Sequence, residues 1–238
     1  MGNSGLKQHY ETAKKTGTLK LSQRKLDEFP QNLDALASLL RTLDLSENKF
    51  TRIPADIGSF TQLKQLNLSH NKLTTLPDSI GNLTKLEVLN LSSNHIKIIP
   101  WSVSKLNRLK IANLSNNRLS EFPLMFCDLR HLDVLDISKN QLTTIPDAAS
   151  MLYVVELNLN QNQISTISGK LAECTRLKTL RLEENCIHLS AIPLSILKDS
   201  NVSVLALEGN LFEMKQFVYV DGYEKYMERY TAVKKKMF

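Results

Sequence analysis

Cysteine is scarce in this chain, and long apolar runs are missing. The three cysteines among its 238 residues, Cys127, Cys174 and Cys186, are odd in number and form no CxxC pair. Neither a disulfide framework nor a zinc site is suggested, and all three read as reduced thiols. No apolar stretch reaches the roughly 18–20 residues that cross a bilayer, and the N-terminus is polar where a secretory signal would be apolar. GxSxG, P-loop and HExxH patterns are absent, and the histidines at 9, 70, 95, 131 and 188 are scattered along the chain. These absences point to a cytoplasmic protein that is not an enzyme, with no catalytic residue, metal, cofactor or small-molecule substrate. Aromatic residues make up 6% and no basic stripe is interleaved with them, so nucleic acid is not an expected partner.

What the chain does have is periodicity. Its seven prolines stand at 30, 54, 77, 100, 123, 146 and 193, about 23 residues apart until a last gap of about two periods. Asparagines at 48, 71, 94, 117, 140, 162, 185 and 210 keep the same phase. Between the two markers the pattern is LxxLxLxxNxLxxLPxxIxxL, as in "LKQLNLSHNKLTTLPDSIGNL" and "LEVLNLSSNHIKIIPWSVSKL". From about Thr16 to Leu211 the chain resembles the leucine-rich repeat family, of the 23-residue intracellular kind with LP after the asparagine. A first unit, "TGTLKLSQRKLDEFP", carries Arg24 in the asparagine position; Ala112 replaces a leucine, and Gly169 falls near the proline missing from one repeat.

The resemblance implies an α/β solenoid, a leucine-rich repeat horseshoe with a concave parallel sheet and short helical caps at both ends. Its parts are a lipidation motif and capping helix at 1–15, an array of about nine repeats at 16–212, and a capping helix with a basic tail at 213–238. The alternation in LxL supports this on its own terms, because it turns both leucines to one side of a short strand. One coil cannot bury them alone; stacked coils can. Each asparagine is expected to bond the backbone of an adjoining turn. Leu6, Tyr10 and Ala13 lie at helical spacing before Gly17, and Tyr223, Tyr226, Met227 and Tyr230 do so after Asp221, read as the N-cap of the second helix.

Function must then lie on exposed positions. One column of the concave face places Val88, Ile111 and Val134 in succession, spanning roughly 10 Å at strand spacing, the size of an anchor patch. Beside it run Asn67, Asn90, Asn113 and Asp136, hydrogen-bonding groups that would frame a protein partner. Glu156, Glu183, Glu184 and Glu208 gather toward the C-terminal end of that face and polarise it. A further column, Lys49, Lys72, His95 and Arg118, is basic or titratable along one edge, whereas Gln141 and Gln163 continue it without charge. The net charge of +6 belongs to the ends: residues 1–25 carry +5 and residues 211–238 carry +2, so the array between is close to neutral.

The opening "MGNSGLKQHY" fits the N-myristoylation pattern M-G-x-x-x-[ST] at Gly2 but has Leu6 where a hydroxyl residue is expected. Leu6 has another task, as the first apolar residue of the cap. The expectation is a monomer lipidated at Gly2 and resident at a cytosolic membrane surface. Because one acyl chain binds only marginally, Lys7, Lys14, Lys15 and the tail Lys234, Lys235 and Lys236 are read as the electrostatic second signal. The repeats also resemble those of Ras-pathway scaffolds and suppressors, which implies as an alternative a lipid-free adaptor of small-GTPase or phosphatase signalling.

Overall fold

The computed structural model describes residues 3–235, with side chains from Leu6 onward, so Gly2 and Lys236 lie outside the described residues. The chain divides into two compact units, residues 1–118 and 119–238. Each is a stack of coils with a parallel sheet on one side and short 3-10 turns on the other, the α/β leucine-rich repeat solenoid.

In the first unit, helix α1 (Asn3–Thr16) precedes strands β1 (Thr18–Lys20), β2 (Thr42–Asp44), β3 (Gln65–Asn67), β4 (Val88–Asn90) and β5 (Ile111–Asn113). All four pairings are parallel and in one register, Thr18 to Thr42, Thr42 to Gln65, Gln65 to Val88, and Val88 to Ile111. Leu19, Leu43, Leu66 and Leu89 are wholly buried behind the strands, and Ala112 takes that place in β5 without interrupting the ladder. Pro54, Pro77 and Pro100 stand extended at the start of the 3-10 turns Ala55–Ser59, Asp78–Asn82 and Trp101–Lys105. A ring-fixed φ suits that place, and each proline carbonyl closes the turn by accepting the N–H three residues on, from Ile57, Ile80 and Val103. The turns stack tightly: a Cβ on Gly81 would meet the Ser102 carbonyl oxygen at 2.5 Å. At the start, Ala13 of α1 is buried and the Tyr10 hydroxyl donates to the Gln31 carbonyl at 2.9 Å. Gly17 ends the helix at φ +69°.

The second unit holds β6 (Val134–Asp136), β8 (Glu156–Asn158), β10 (Thr179–Arg181) and β11 (Val204–Ala206), again parallel and in register. A small ladder pairs β7 (Thr144–Ile145) with β9 (Thr166–Ile167). Where one repeat lacks its proline, Ser168 opens the 3-10 turn Gly169–Glu173, and its hydroxyl accepts the Lys170 N–H. Helix α2 (Leu194–Lys198) replaces the 3-10 turn in the lengthened repeat.

Helices α3 (Met214–Phe217) and α4 (Tyr223–Lys234) close this unit. The Tyr226 hydroxyl accepts the Leu205 N–H of β11 at 3.2 Å. That strand N–H, which faces no further coil, thus finds a side chain instead, and Arg229 donates to the carbonyls of Val202 at 2.9 Å and Leu197 at 2.7 Å. The expected N-cap of α4 is corrected: Gly222, at φ +90°, holds that position, and the Asp221 carboxylate instead pairs with Lys198.

The repeat asparagines hold the coils together. The Asn71 amide donates to Leu68 of its own coil at 3.1 Å and to Leu45 of the coil before at 3.0 Å, while its oxygen accepts the Phe50 N–H of that earlier coil. Asn94 and Asn117 repeat the arrangement in the first unit, and Asn162, Asn185 and Asn210 in the second. Arg24 has no such amide and turns its guanidinium to His9 at 3.1 Å. Its coil is closed by Asn48, whose oxygen accepts from both Arg24 and Leu26.

Candidate partner-binding face

Three-residue strands turn one side chain inward and two outward, so each coil contributes its first and third strand residues to an exposed face. In the first unit Val88 and Ile111 are direct register partners on β4 and β5. Ile111 is 42% exposed, and Val88 is half-buried. In the second unit Val134 is half-buried on β6, opposite Glu156 of β8.

The framing residues have a structural task as well. The side-chain oxygens of Asn67, Asn90 and Asn113 accept the backbone N–H of Ser69, Ser92 and Ser115, at 3.1, 3.1 and 2.9 Å. Asp136 does the same for Ser138, and also accepts the Ser138 hydroxyl at 2.7 Å. These bonds turn the chain out of the strand toward the asparagine. The amide NH2 groups of Asn67, Asn90 and Asn113 have no hydrogen-bond partner among the described residues, so what this row offers a ligand is donors.

Of the four glutamates expected to gather at the far end of the face, one has its charge matched by a cation and a second is bonded by a neutral amide. Glu156 is ion-paired with Arg181 of the neighbouring strand at 2.9 Å, and Glu183 accepts from the Asn160 amide at 2.5 Å. Among the basic residues of the ends, Lys14 pairs with Glu11 at 2.7 Å. The carboxyl of Glu11 is held below its ordinary value by that hydrogen bond and charge. Lys7, Lys15 and Lys235 are exposed, and the Lys234 ammonium lies over the Tyr230 ring at 4.8 Å.

No group of three or more His, Cys, Asp or Glu that could hold a metal occurs among the described residues. Cys127 and Cys174 are buried, and desolvation pushes both thiols up to about 11. A protonated thiol is a poor nucleophile, so the four-residue spacing of Cys127 and His131 is not a reactive pair. Only Cys186 of the three is exposed.

Two exposed residues escaped the sequence reading. Ile98 is 73% and Trp101 61% exposed. Their signal is a break in pattern, because the equivalent positions one repeat earlier are Thr75 and Asp78.

A family model described as "Leucine rich repeat" matches residues 38–96 and 130–187. With the stacked coils and asparagine ladder above, the chain has the leucine-rich repeat fold, and these two segments carry the family's repeats. Solved structures are similar to it. A leucine-rich repeat protein of Leptospira interrogans shares 26% identity over 84% of this chain and 63% of that one, at a TM-score of 0.62. The plant peptide hormone receptor RGFR1, in complex with RGF2, shares 29% over 81% of this chain and 32% of the receptor, at 0.67. The leucine-rich repeat ectodomain of the Arabidopsis thaliana membrane receptor kinase GASSHO1/SCHENGEN3, in complex with CASPARIAN STRIP INTEGRITY FACTOR 2, shares 29% over 82% and 23%, at 0.67. The chain therefore spans less than two thirds of the length of each of these proteins.

Proposed function

We propose that the chain is a non-enzymatic protein-interaction module of the 23-residue intracellular repeat type, which binds a partner through its exposed strand face while resident at a cytosolic membrane surface. The observation that carries the first half is the pairing of Val88 and Ile111 beside unpartnered amide donors. An apolar anchor next to donors is the composition of a binding hot spot. Two structurally similar receptors were solved in complex with RGF2 and CASPARIAN STRIP INTEGRITY FACTOR 2, which supports a peptide or protein as the ligand class.

Ile111→Asp tests this half. It removes an exposed side chain, so the melting temperature should stay within a few degrees of wild type. Capture of the partner in pull-down should fall at least tenfold; capture at wild-type strength would remove this face from the reading.

The second half rests on Gly2 and its motif. A Gly2→Ala variant should move from the membrane to the soluble fraction of a cell lysate. Equal membrane association of variant and wild type would instead favour the lipid-free adaptor of small-GTPase or phosphatase signalling.

A further inference from the structure

Between each repeat asparagine and its proline, the chain crosses one flank of the solenoid. In three consecutive coils of the first unit this crossing reads KFTRIP, KLTTLP and HIKIIP, residues 49–54, 72–77 and 95–100, and holds no carboxylate. The backbone stacks these segments side by side, since Lys72 N–H donates to the Phe50 carbonyl, His95 N–H to that of Leu73, and Arg118 N–H to that of Ile96. Lys49, Lys72, His95 and Arg118 therefore form one row, with neighbours about 4.8 Å apart. Arg52 and Lys97 extend it outward in their own coils.

Lys49, Arg52, Lys72, Lys97 and Arg118 are exposed, and none of them forms an ion pair with another described residue. That is unlike Lys64 and Lys110 of the same unit, which share Glu87 at 3.4 and 2.9 Å. No carboxylate lies within the three crossings themselves; the exposed Asp27 and Glu28 border Thr51 and Arg52 on one side and Glu121 follows Arg118 on the other, so the excess of positive charge centres on Lys72 and Lys97. The coil that carries His95 and Lys97 also projects Ile98 and Trp101, the most exposed apolar pair of this unit. In the second unit Gln141 and Gln163 replace the cations, so the feature belongs to the first unit alone.

We infer that this flank is a contact surface for an anionic lipid bilayer, with the cation row held at the headgroups and Trp101 and Ile98 set into the interface. An acidic protein would match the charge and could seat the apolar pair as anchors, and it is the alternative that the test below separates. A bilayer takes both, because tryptophan favours the headgroup boundary and juxtaposed lysines and arginines are drawn to an anionic leaflet. The inference extends the membrane half of the proposed function by supplying the second signal that a single acyl chain needs. It places that signal in the array, in addition to the termini.

The test uses the full chain with Gly2→Ala, so that no acyl chain takes part and failure of this surface is separable from failure of lipidation. Phosphatidylcholine vesicles with roughly one third phosphatidylserine should carry the protein down on sedimentation, pure phosphatidylcholine should not, and added salt should release it. Trp101 is the only tryptophan, so its emission reports the contact directly: it should shift to the blue and be quenched by lipids brominated on the acyl chains. Lys72→Gln with Lys97→Gln should lower the partition coefficient roughly 25-fold, about fivefold for each cation. Absence of binding to the phosphatidylserine vesicles overturns the inference. So does binding with unchanged Trp101 emission that the double variant retains, since the contact would then lie elsewhere. Loss of an acidic protein partner in the double variant, with vesicle binding unaffected, would assign the flank to that protein.

Discussion

Each repeat asparagine uses both ends of its amide on buried backbone, and no other side chain of its size both donates and accepts in that geometry. Asn94 donates to the carbonyls of Leu68 and Leu91 at 2.9 and 3.0 Å and accepts from Leu73 at 3.0 Å. Truncation to alanine leaves the buried Leu73 N–H without a partner and takes one of two donors from each of the Leu68 and Leu91 carbonyls, which keep the amides of Asn71 and Asn117. Asn94→Ala should therefore lower stability by about 2–4 kcal/mol in urea unfolding. Asn82→Ala, at an exposed position, should stay within about 0.5 kcal/mol. Immediately before these asparagines, Glu47, His70, Ser93, Asn116, Lys139, Gln161 and Glu184 all adopt positive φ. Only the last repeat uses glycine there, Gly209 at φ +77°.

At the scale of elements, the ends of the stack differ from its middle. Interior strands satisfy one another, whereas β11 is completed by side chains of α4. Tyr226 bonds the Leu205 N–H of β11 itself, and Arg229 ties α4 to the segment before it, its guanidinium meeting the carbonyls of Ile196 and Leu197 in α2 and of Val202. Arg229→Met keeps the apolar stem and loses the donors, so destabilisation of about 2–3 kcal/mol is expected. Hydrogen exchange should locate it, with faster exchange at α2 and β11 and unchanged protection in β2 to β4.

The same elements show what could be read in advance. Leucine and asparagine positions were legible because burial and the ladder repeat every coil, and a repeated constraint leaves a repeated residue. The positive-φ position was not, because glutamate, histidine, lysine and glutamine all occupy it and no residue type marks it. Asp221 looked like a helix cap from its chemistry, but a left-handed turn at Gly222 and the nearby Lys198 ammonium, both tertiary facts, decided otherwise. Of the candidate face, the column carrying Val88 and Ile111 was legible from alternation alone. The turn-forming bonds of Asn67, Asn90 and Asn113 were not, since they depend on the backbone two residues on.

Across the whole molecule, the buried thiols tie stability to alkaline pH. Cys127 and Cys174 rise from 9.0 to about 11 on folding through desolvation, and burial also raises the Tyr226 phenol. Between about pH 9 and 11 the folded chain thus holds protons that the unfolded chain releases, so stability is complete below about 9 and declines as pH rises. Urea midpoints should fall over that window. The combined Cys127→Ala and Cys174→Ala variant should show a shallower fall than wild type; an equal slope would mean the thiols are not its source.

The asparagine ladder also has a direction. Asn71 serves Leu45 and Phe50 of the coil before it, and Asn94 serves Leu68 and Leu73. A coil's backbone is therefore completed by residues that leave the ribosome about one repeat later. During synthesis the newest coil is always the unfinished one, and a chain stalled within the array ends in unsatisfied carbonyls and N–H groups. A chain that loses its first coil frees the Asn48 amide together with the N–H groups of Arg41, Thr42 and Lys49, which donate to Gly17 and Leu26 of that coil.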